Sequence, residues 1–371
     1  MMDSLAAGIQ SMATPHRTDR LYPGDVYQFD GQGLGIAYGA AGVLYALHSA
    51  GYPTREEHIE WLLARVREQG DHRIGLYDGL YGTAWVLDRM GLRDQARDVL
   101  DRAHRHASDT ANPDLETGLS GMALTLLHFA QVDNDRVLAE KAEKTAQQVV
   151  RSGRPKVPGL MRGATGRALL FIRMYEQTGA AGWLDHARDA LLADLATGKI
   201  EDGVLVLPDD VNRVSVYLHS GTTGTALVAR EFVKYREDAE IMATIGHGDD
   251  GCRPEFFYAP GLMEGRAGII MYLAARRNDP ASPTPQILEA QLRLLHWHAL
   301  QYQGNLVFPG RLLYRLSADL ATGTAGVLLS VSAATQSTPG LPFLELPGKI
   351  PGATVPSPTA GTAAREERVI T

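Results

Sequence analysis

Three polar side chains just before glycine turns are of the types that transfer protons and stabilise anions. Tyr217 and His219 lie four and two residues before Gly221. Because the ordinary pKa of histidine is about 6.5, His219 can accept a proton and return it near neutral pH. Tyr217 can donate a hydrogen bond to a developing oxyanion, although a tyrosine in this position serves packing equally often. Arg162, directly before Gly163, cannot act as a base, but its fixed charge can stabilise an anion. These types predict acid–base chemistry.

Carboxylates and other side chains occupy similar positions before further glycine turns. Asp114 lies four residues before Gly118, and Asp78 and Glu264 each stand directly before a glycine. We interpret Asp78 as a helix cap and Glu264 as a solvated carboxylate that would accept a proton only if desolvated. The remaining residues that we expect around the same opening are Tyr38, Tyr81, Met263 and Arg266.

Cysteine and histidine usage does not favour a metal site. Cys252 is the one cysteine of the chain, so a set of two or more thiolates is excluded. His104 and His106 are two residues apart, as are His296 and His298. Residues at this spacing do not share a helix face, so neither pair is a helical metal motif. The sequence therefore predicts no metal and no other cofactor.

The elements that must position these residues are a repeated helical unit. A glycine, two residues and a second glycine recur at intervals of 39 to 58 residues, each time before an apolar run. Seven copies in register predict a repeat architecture with two helices per unit. The copies are Gly39 and Gly42, Gly79 and Gly82, Gly118 and Gly121, Gly163 and Gly166, Gly221 and Gly224, Gly265 and Gly268, and Gly323 and Gly326.

The apolar runs predict inner helices that are buried on both sides, and charge-rich segments between them predict outer helices. We expect outer helices at residues 55–68, 93–108, 134–151, 183–195 and 287–301, and short hairpins at 203–207 and 305–308. Neither end of the array shows a polar capping repeat, which favours a closed ring over an open solenoid. The expected fold is an all-α, closed α/α toroid of seven helical hairpins at 33–338, preceded by a helix and wrapping segment at 1–32 and followed by a flexible tail at 339–371.

Composition limits the partners. The 371 residues are 44% hydrophobic and 21% charged, with a formal net charge of −7, which is typical of a globular protein without a broad basic face. We therefore expect no nucleic acid and no membrane as partners. The single cysteine and the lack of a signal-like N-terminus favour the cytoplasm.

The seven glycine turns resemble those of the lanthionine synthetase C-like cyclases over about residues 7–334. Residues 13–24 and 33–47 resemble more narrowly the C-terminal cyclase domain of class III lanthipeptide synthetases. The resemblance implies a ring fold and a Michael-type addition of a peptide cysteine thiol to dehydroalanine or dehydrobutyrine, giving lanthionine, or labionin where the enolate adds to a second dehydroalanine. The implied partners are a dehydrated precursor peptide and the lyase and kinase domains of the same synthetase.

The resemblance also shows where this chain departs from typical members. In zinc-dependent cyclases, a cysteine stands two residues before the fifth turn's glycine, and a cysteine and a histidine directly precede the sixth. Here those positions hold His219, Met263 and Glu264, and Arg162 replaces the usual catalytic histidine of the fourth turn. Asp114 alone matches a familiar site residue. The expected cyclase is therefore independent of zinc, with His219 as its base.

Several alternatives stay open from the sequence. His219 could merely cap a helix through Ser220. The charge of Arg162 could stabilise either the thiolate or the enolate, or Arg162 could instead form an ion pair with Asp114. The domain could be an inactive toroid that binds the precursor peptide or its leader as a scaffold. A glycosidase would require two flanking carboxylates, for which Asp78, Asp114 and Glu264 are available; the sevenfold repeat argues against it.

Overall fold

The computed structural model describes residues 1–68, 72–106, 112–209, 211, 213–277, 279, 284–336, 338 and 340–344. Within these residues the chain is mostly helical, as predicted. Seven of the described helices begin directly after the first glycine of a turn: α2 (Ala40–Ser49), α4 (Leu80–Arg89), α6 (Leu119–Asp133), α8 (Ala164–Thr178), α10 (Thr222–Val233), α12 (Arg266–Arg276) and α14 (Thr324–Gln336). None of the described helices is long and apolar enough to cross a membrane.

The other helices are amphipathic and form an outer layer. They are α1 (Met2–Ser11), α3 (Glu56–Arg67), α5 (Arg93–His106), α7 (Arg136–Arg151), α9 (Gly182–Leu195), α11 (Ala239–Asp250) and α13 (Thr284–Leu294). The bounds of α3, α5, α7 and α9 are close to those predicted. The predicted helix at 287–301 instead ends at Leu294, and α11 was not predicted. From α4 to α13, each inner helix packs against the outer helix that follows it, and α14 packs against α1. The N-terminal helix therefore supplies the outer partner of the seventh inner helix.

The repeated turn has a common packing cause. An aliphatic residue three positions before the first glycine is fully buried in every repeat, and the second glycine lies against the carbonyl oxygen of that residue. A Cβ at Gly82 would collide with the carbonyl of Leu76, and one at Gly224 with that of Leu218. Glycine is required there because no other residue lets the helix start approach its own turn so closely. The seven aliphatic residues are Ile36, Leu76, Leu115, Leu160, Leu218, Leu262 and Leu320.

Backbone hydrogen bonds join the seven turns in sequence. In each turn, the residue two positions before the first glycine donates its N–H to the carbonyl of its counterpart in the next turn, over 2.7 to 3.1 Å. The seventh turn donates to the first, and α14 packs against α2 as each inner helix packs against the next. The series is Ala37, Tyr77, Glu116, Met161, His219, Met263 and Ala321. Side chains from these turns are therefore held at fixed positions relative to one another.

Two short β-sheets lie in the longest intervals between turns, as predicted. One has the order β1 (Lys199–Glu201), β2 (Val204–Pro208) and β3 (Val214–Ser215); the other pairs β4 (Leu300–Tyr302) with β5 (Asn305–Val307). All pairs are antiparallel. Asp202 and Gly203 link β1 to β2 with positive φ angles of 49° and 83°, the conformation of a tight hairpin turn. Because β3 runs directly into the fifth turn, it fixes the approach to Tyr217 and His219.

Residues 340–344 differ from the expected flexible tail. The carbonyl of Gly340 accepts a hydrogen bond from Tyr45 Oη at 2.6 Å, and that of Phe343 accepts from Arg173 Nη2 at 2.7 Å. The Phe343 ring packs on Trp85 with centroids 5.5 Å apart, and Leu341 is buried. These bulky side chains give the segment enough apolar surface to dock on the inner helices. The rest of the predicted tail, residues 345–371, lies outside the described residues.

Candidate active site

A buried carboxylate joins two of the predicted site residues. Glu116 lies two residues before Gly118, and its side chain is only 7% exposed. Its Oε2 is 2.6 Å from Nε of Arg162 and 3.5 Å from Nε2 of His219. The third, fourth and fifth turns therefore meet at one carboxylate.

The basic neighbours keep Glu116 ionised. Burial by itself would raise the pKa of Glu116, but hydrogen bonding and the charges of His219 and Arg162 outweigh burial and lower that pKa to about 2. An ionised carboxylate beside an imidazole stabilises the protonated ring. The centre therefore sets an ionised carboxylate beside an imidazole and a guanidinium.

The contacts of His219 assign roles to its two ring nitrogens. The ionised Glu116 can only accept hydrogen bonds, so Nε2, which faces it, carries the hydrogen of the neutral ring. Nδ1 lies 2.7 Å from Oγ of Ser220 and is left to accept from that hydroxyl. The hydroxyl is therefore placed to pass a proton to the imidazole. The contact with Ser220 expected from the sequence is present, and the ion pair with Glu116 accompanies it.

Arg162 pairs with Glu116, and the expected ion pair with Asp114 is not its contact. Its Nε donates to Glu116, and the Arg162 side chain is still 47% exposed. Burial opposes a rise in the pKa of Arg162, but the charge and hydrogen bond of Glu116 outweigh burial and raise it. The exposed part of the guanidinium can therefore bind an anion while Nε holds the carboxylate.

The outer helix α9 holds the turn that carries Arg162. Asp194 is buried, and its carboxylate accepts hydrogen bonds from the backbone N–H groups of Gly159, Ala164 and Thr165 at 2.7 to 3.1 Å. Gly159 lies four residues before the first glycine of the fourth turn, and Ala164 and Thr165 are the first two residues of α8. Asp194 therefore fixes the position of Arg162 without touching it.

Asp114 holds the turn that carries Glu116. Its Oδ1 accepts from the N–H of Thr117 at 2.8 Å, and its Oδ2 accepts from Asn112 Nδ2 at 2.7 Å. Burial raises the pKa of Asp114 despite these hydrogen bonds. Asp319, also four residues before a turn glycine, binds its own turn in the same way. The structure thus places Asp114 beside the centre as a support of the turn.

Tyr38 and Glu264 lie within electrostatic range of the centre. Burial is the main cause of the raised pKa of Tyr38, and the charge of Glu116 comes next, with Glu264 contributing too. Tyr217 packs its ring against Phe257 at 5.9 Å and Tyr258 at 6.3 Å. Burial, Tyr258 and Glu264 raise the pKa of Tyr217 to about 12, so its phenol stays protonated at neutral pH. Tyr38 is therefore influenced by both Glu116 and Glu264, and Tyr217 by Glu264.

Asp78 does not cap a helix. The N-cap residue of α4 is Gly79, directly before Leu80, and no side chain forms a capping hydrogen bond there. The Asp78 carboxylate instead lies 3.1 Å from Nη1 of Arg73, while its Oδ1 is buried without a hydrogen-bond partner. Burial is the main cause that raises the pKa of Asp78 from 3.8 to about 6, and Arg73 opposes it.

This raised pKa predicts that Asp78→Asn stabilises the protein at neutral pH. The native state disfavours the ionised carboxylate, so wild-type stability falls as pH rises from 3.8 to about 6 and the loss then stays constant. Asparagine does not ionise, so the Asp78→Asn variant does not lose this stability as the pH rises. We expect its free energy of unfolding to exceed that of wild type by about 2 kcal/mol at pH 7 and to match it near pH 4. Urea unfolding at both pH values measures the difference; equal gains at both would contradict the assignment.

Three other predicted substrate-contacting residues are buried. Tyr81 packs edge-on against the ring of His104 between α4 and α5, and Met263 is buried in the sixth turn. Arg266 is 0% exposed and donates to Gln291 and to the carbonyl of Glu255. Neither Tyr81 nor Arg266 lines an opening in this structure. Both residues lie in the first helical turn of an inner helix, α4 for Tyr81 and α12 for Arg266. Their side chains pack between the inner and outer helices.

Sequence reasoning missed Glu116, although its position carried a signal. Glu116 stands two residues before a first glycine, the position that His219 occupies in the fifth turn. The structure shows that these two positions are linked through Met161, whose N–H donates to the His219 carbonyl and whose carbonyl accepts from Glu116 N–H. A comparison of all seven residues at this position would have singled out Glu116 as the one carboxylate and His219 as the one imidazole.

The donors at the positions of the zinc ligands in typical cyclases do not fit zinc. A thioether, a carboxylate and an imidazole replace two thiolates and an imidazole, and both nitrogens of His219 already have partners. Met263 is buried, and Cys252, the one cysteine, is also buried, with its Sγ donating to the carbonyl of Gly248. Among the residues that the structure describes, no three His, Cys, Asp or Glu side chains form a group suited to a metal ion.

Two solved structures share this fold. Nisin cyclase superposes with a TM-score of 0.64 at 12% identity, covering 92% of this chain and 94% of nisin cyclase. A Listeria innocua protein, Lin0763, superposes with a TM-score of 0.52 at 10% identity, covering 91% of this chain and 96% of that protein. The chain thus has the fold of a lanthionine cyclase.

Sequence comparison adds a relative. The probable SapB synthase of Streptomyces coelicolor is 38% identical over 367 residues, which is 94% of this chain and 39% of that protein. The chain therefore spans about two fifths of that relative's length. No family model matches the sequence. By fold and by this relative, the chain belongs to the lanthionine cyclase-like domains, which confirms the resemblance found in its glycine turns.

Proposed function

We propose that this chain is the cyclase domain of a lanthipeptide synthetase and adds cysteine thiols of a dehydrated precursor peptide to dehydroalanine or dehydrobutyrine without zinc. The observation that carries the proposal is the contact of Glu116 with both Arg162 and His219. This contact supports an acid–base group and an anion-stabilising group acting side by side, with His219 at the position of a zinc ligand in typical cyclases. The 38% identity to the probable SapB synthase supports a peptide as the substrate.

The closed ring provides the geometry. The series of backbone hydrogen bonds that returns from Ala321 to Ala37 supports a closed toroid of seven hairpins over residues 33–338. Inner helix N-termini of such a ring point toward one opening, where their free amides and dipoles favour anions. We place the active centre at this opening. The lyase and kinase domains of the same synthetase would supply the dehydrated peptide.

The first step is removal of the thiol proton. A free cysteine has a pKa of about 8.5 and is mostly protonated at neutral pH. The thiol passes its proton to Ser220 Oγ as the Ser220 hydroxyl passes its own to His219 Nδ1. The resulting imidazolium is stabilised by the Glu116 carboxylate at Nε2, and the exposed part of Arg162 attracts the thiolate. Deprotonation thus needs no metal in this geometry.

The second step forms the thioether. The thiolate sulfur bonds to the β-carbon of the dehydroamino acid, and the electron pair of the carbon–carbon double bond moves toward the carbonyl to give an enolate. Arg162 and the Tyr217 phenol stabilise the enolate oxygen. The Ser220 hydroxyl then gives its proton to the α-carbon as His219 Nδ1 returns a proton to Ser220 Oγ, so no proton is gained or lost overall. If the enolate meets a second dehydroalanine before it is protonated, labionin forms.

Cyclisation of a dehydrated peptide in the presence and absence of the protein tests this function. We expect the protein to accelerate the loss of free thiol, measured by maleimide labelling and mass spectrometry. Prolonged dialysis against a chelator should leave the rate unchanged, and added zinc should not raise it, because no thiolate ligand is available for the metal. His48→Ala, an exposed histidine at the far end of α2, serves as the control variant and should behave as wild type.

Two outcomes would contradict the proposal. Equal rates with and without the protein would indicate a scaffold that only binds the peptide. Loss of activity on chelation with recovery on zinc addition would show that the chain recruits a metal through donors other than those at the centre.

A further inference from the structure

A loop beside the centre holds three large apolar side chains out toward solvent. It follows β5 and contains Leu312, Leu313 and Tyr314, which are 50%, 45% and 82% exposed. Leu312 and Leu313 have φ angles of +54° and +59°, a left-handed conformation that leucine rarely adopts. A strained backbone that exposes leucines indicates a role outside the packing of the fold.

The loop is held in a defined position. The N–H of Gly310 donates to the carbonyl of Arg315 at 2.9 Å, closing the loop at its base. The guanidinium of Arg311 lies 5.3 Å from the centroid of the Tyr27 ring, and Tyr27 packs on Tyr38 at 5.7 Å. Tyr27 is itself 46% exposed. Together Tyr27, Arg311, Leu312, Leu313 and Tyr314 form what we call the rim patch.

The rim patch adjoins the first glycine turn, because Tyr27 packs on Tyr38. Tyr38, beneath Tyr27, lies within electrostatic range of Glu116 and Glu264. Burial opposes a rise in the pKa of Arg311, but Tyr27, Glu264 and Tyr38 outweigh it. Burial raises the pKa of Tyr258, and the charge of Arg311 opposes that rise. The Tyr258 ring in turn packs on Tyr217. Through Tyr27 and Arg311 the rim patch therefore lies beside Tyr38, the residue directly before the first glycine turn.

We propose that the rim patch binds the linear peptide substrate through apolar side chains that flank its reacting cysteine. This inference rests on the proposed function and names the recognition surface for the same site. Leucine, isoleucine and aromatic residues of the peptide pack against Leu312, Leu313, Tyr314 and Tyr27, because burying such surfaces together removes apolar area from water. Arg311 lies at the inner edge of the patch, where it can donate to peptide carbonyls.

The test uses a double variant, Leu312→Asn with Leu313→Asn, and a single variant, Tyr314→Ser. Asparagine tolerates the left-handed conformation, so the double variant keeps the loop and relieves its strain. We expect its melting temperature to equal or exceed that of wild type, whereas its KM rises about tenfold and its kcat stays unchanged. Val137→Ser, which removes an exposed apolar residue on α7, is the matched control and should leave KM unchanged.

The probes are two short linear peptides, each with one dehydroalanine and one cysteine. In one peptide leucine and phenylalanine flank the cysteine, and in the other glycine and serine do. Wild type should prefer the first, and the rim variants should lose this preference. Fluorescence anisotropy with the same peptides carrying serine in place of cysteine measures binding without turnover. If wild type binds but does not cyclise, the proposed function fails while the rim patch is still tested.

The proposal is overturned if both rim variants bind the two peptides as wild type does. It is also overturned if peptide binding is unchanged but the variants lose association with the remainder of a full-length synthetase, since the rim patch would then dock another domain. A parallel fall in melting temperature and affinity for both peptides would assign the loop a structural role alone.

Discussion

Replacing His219 with alanine should lower kcat for thioether formation by about 10²- to 10⁴-fold, the usual contribution of a general acid–base group. The variant loses both the acceptor of the thiol proton and the donor to the enolate. KM should change little, because the imidazole is mostly buried and bound to Glu116 and Ser220. Steady-state kinetics on a dehydrated peptide separate the two parameters.

Added imidazole provides a second readout for His219→Ala. The variant leaves a gap beside Glu116 and Ser220 that a free imidazole can occupy, so part of the lost rate should return. The His48→Ala control should show neither the loss nor the response to imidazole. A His219→Ala rate within twofold of wild type would remove His219 from the chemistry and leave it the helix-capping role.

Replacing Glu116 with glutamine should affect both stability and activity. Glutamine keeps the shape but not the charge, so the imidazolium formed in the first step loses its counter-ion. We expect kcat to fall about 10²-fold. The free energy of unfolding should fall by about 2 kcal/mol at neutral pH, because the ionised carboxylate is more stable in the folded state than in the unfolded state.

The stability difference should depend on pH in a defined direction. The folded-state pKa of Glu116, about 2, lies below its ordinary value of 4.5. The stabilisation is therefore fully present above pH 4.5 and is lost as the pH falls toward 2. Wild type and Glu116→Gln should differ in urea unfolding at pH 7 and converge near pH 2. A difference that is independent of pH would show that the carboxylate acts through packing.

Much of the fold was predictable because its cause is local and repeated. Each glycine turn is required by the contact of its second glycine with a carbonyl six residues earlier in the chain, so the same short pattern recurs in the sequence. The inner helices begin at the predicted residues for the same reason. Residues 340–344 were misjudged because a few bulky side chains among prolines and glycines suffice to dock a segment when a prepared surface exists.

The site was only partly predictable because its key contact crosses three repeats. His219 and Arg162 stood out by residue type and by their place before a glycine. Their shared partner, Glu116, depends on how neighbouring turns are aligned by backbone hydrogen bonds, which the sequence does not show. Glu116, two residues from Asp114 in sequence, takes the ion pair expected for Asp114, whose carboxylate is used by the backbone of its own turn. Arg266 was expected at the opening but is fully buried. No local sequence pattern reveals this burial, because it depends on packing between helices.

The most direct test of the central claim, that Glu116 and His219 act as one acid–base unit, is a kinetic double-mutant cycle. The rate of thioether formation is measured for wild type, Glu116→Gln, His219→Ala and the combined variant under the same conditions. If the carboxylate acts only through the imidazole, the combined variant should be no slower than His219→Ala alone. Losses that multiply in the combined variant would show that the two residues act independently and would contradict the mechanism.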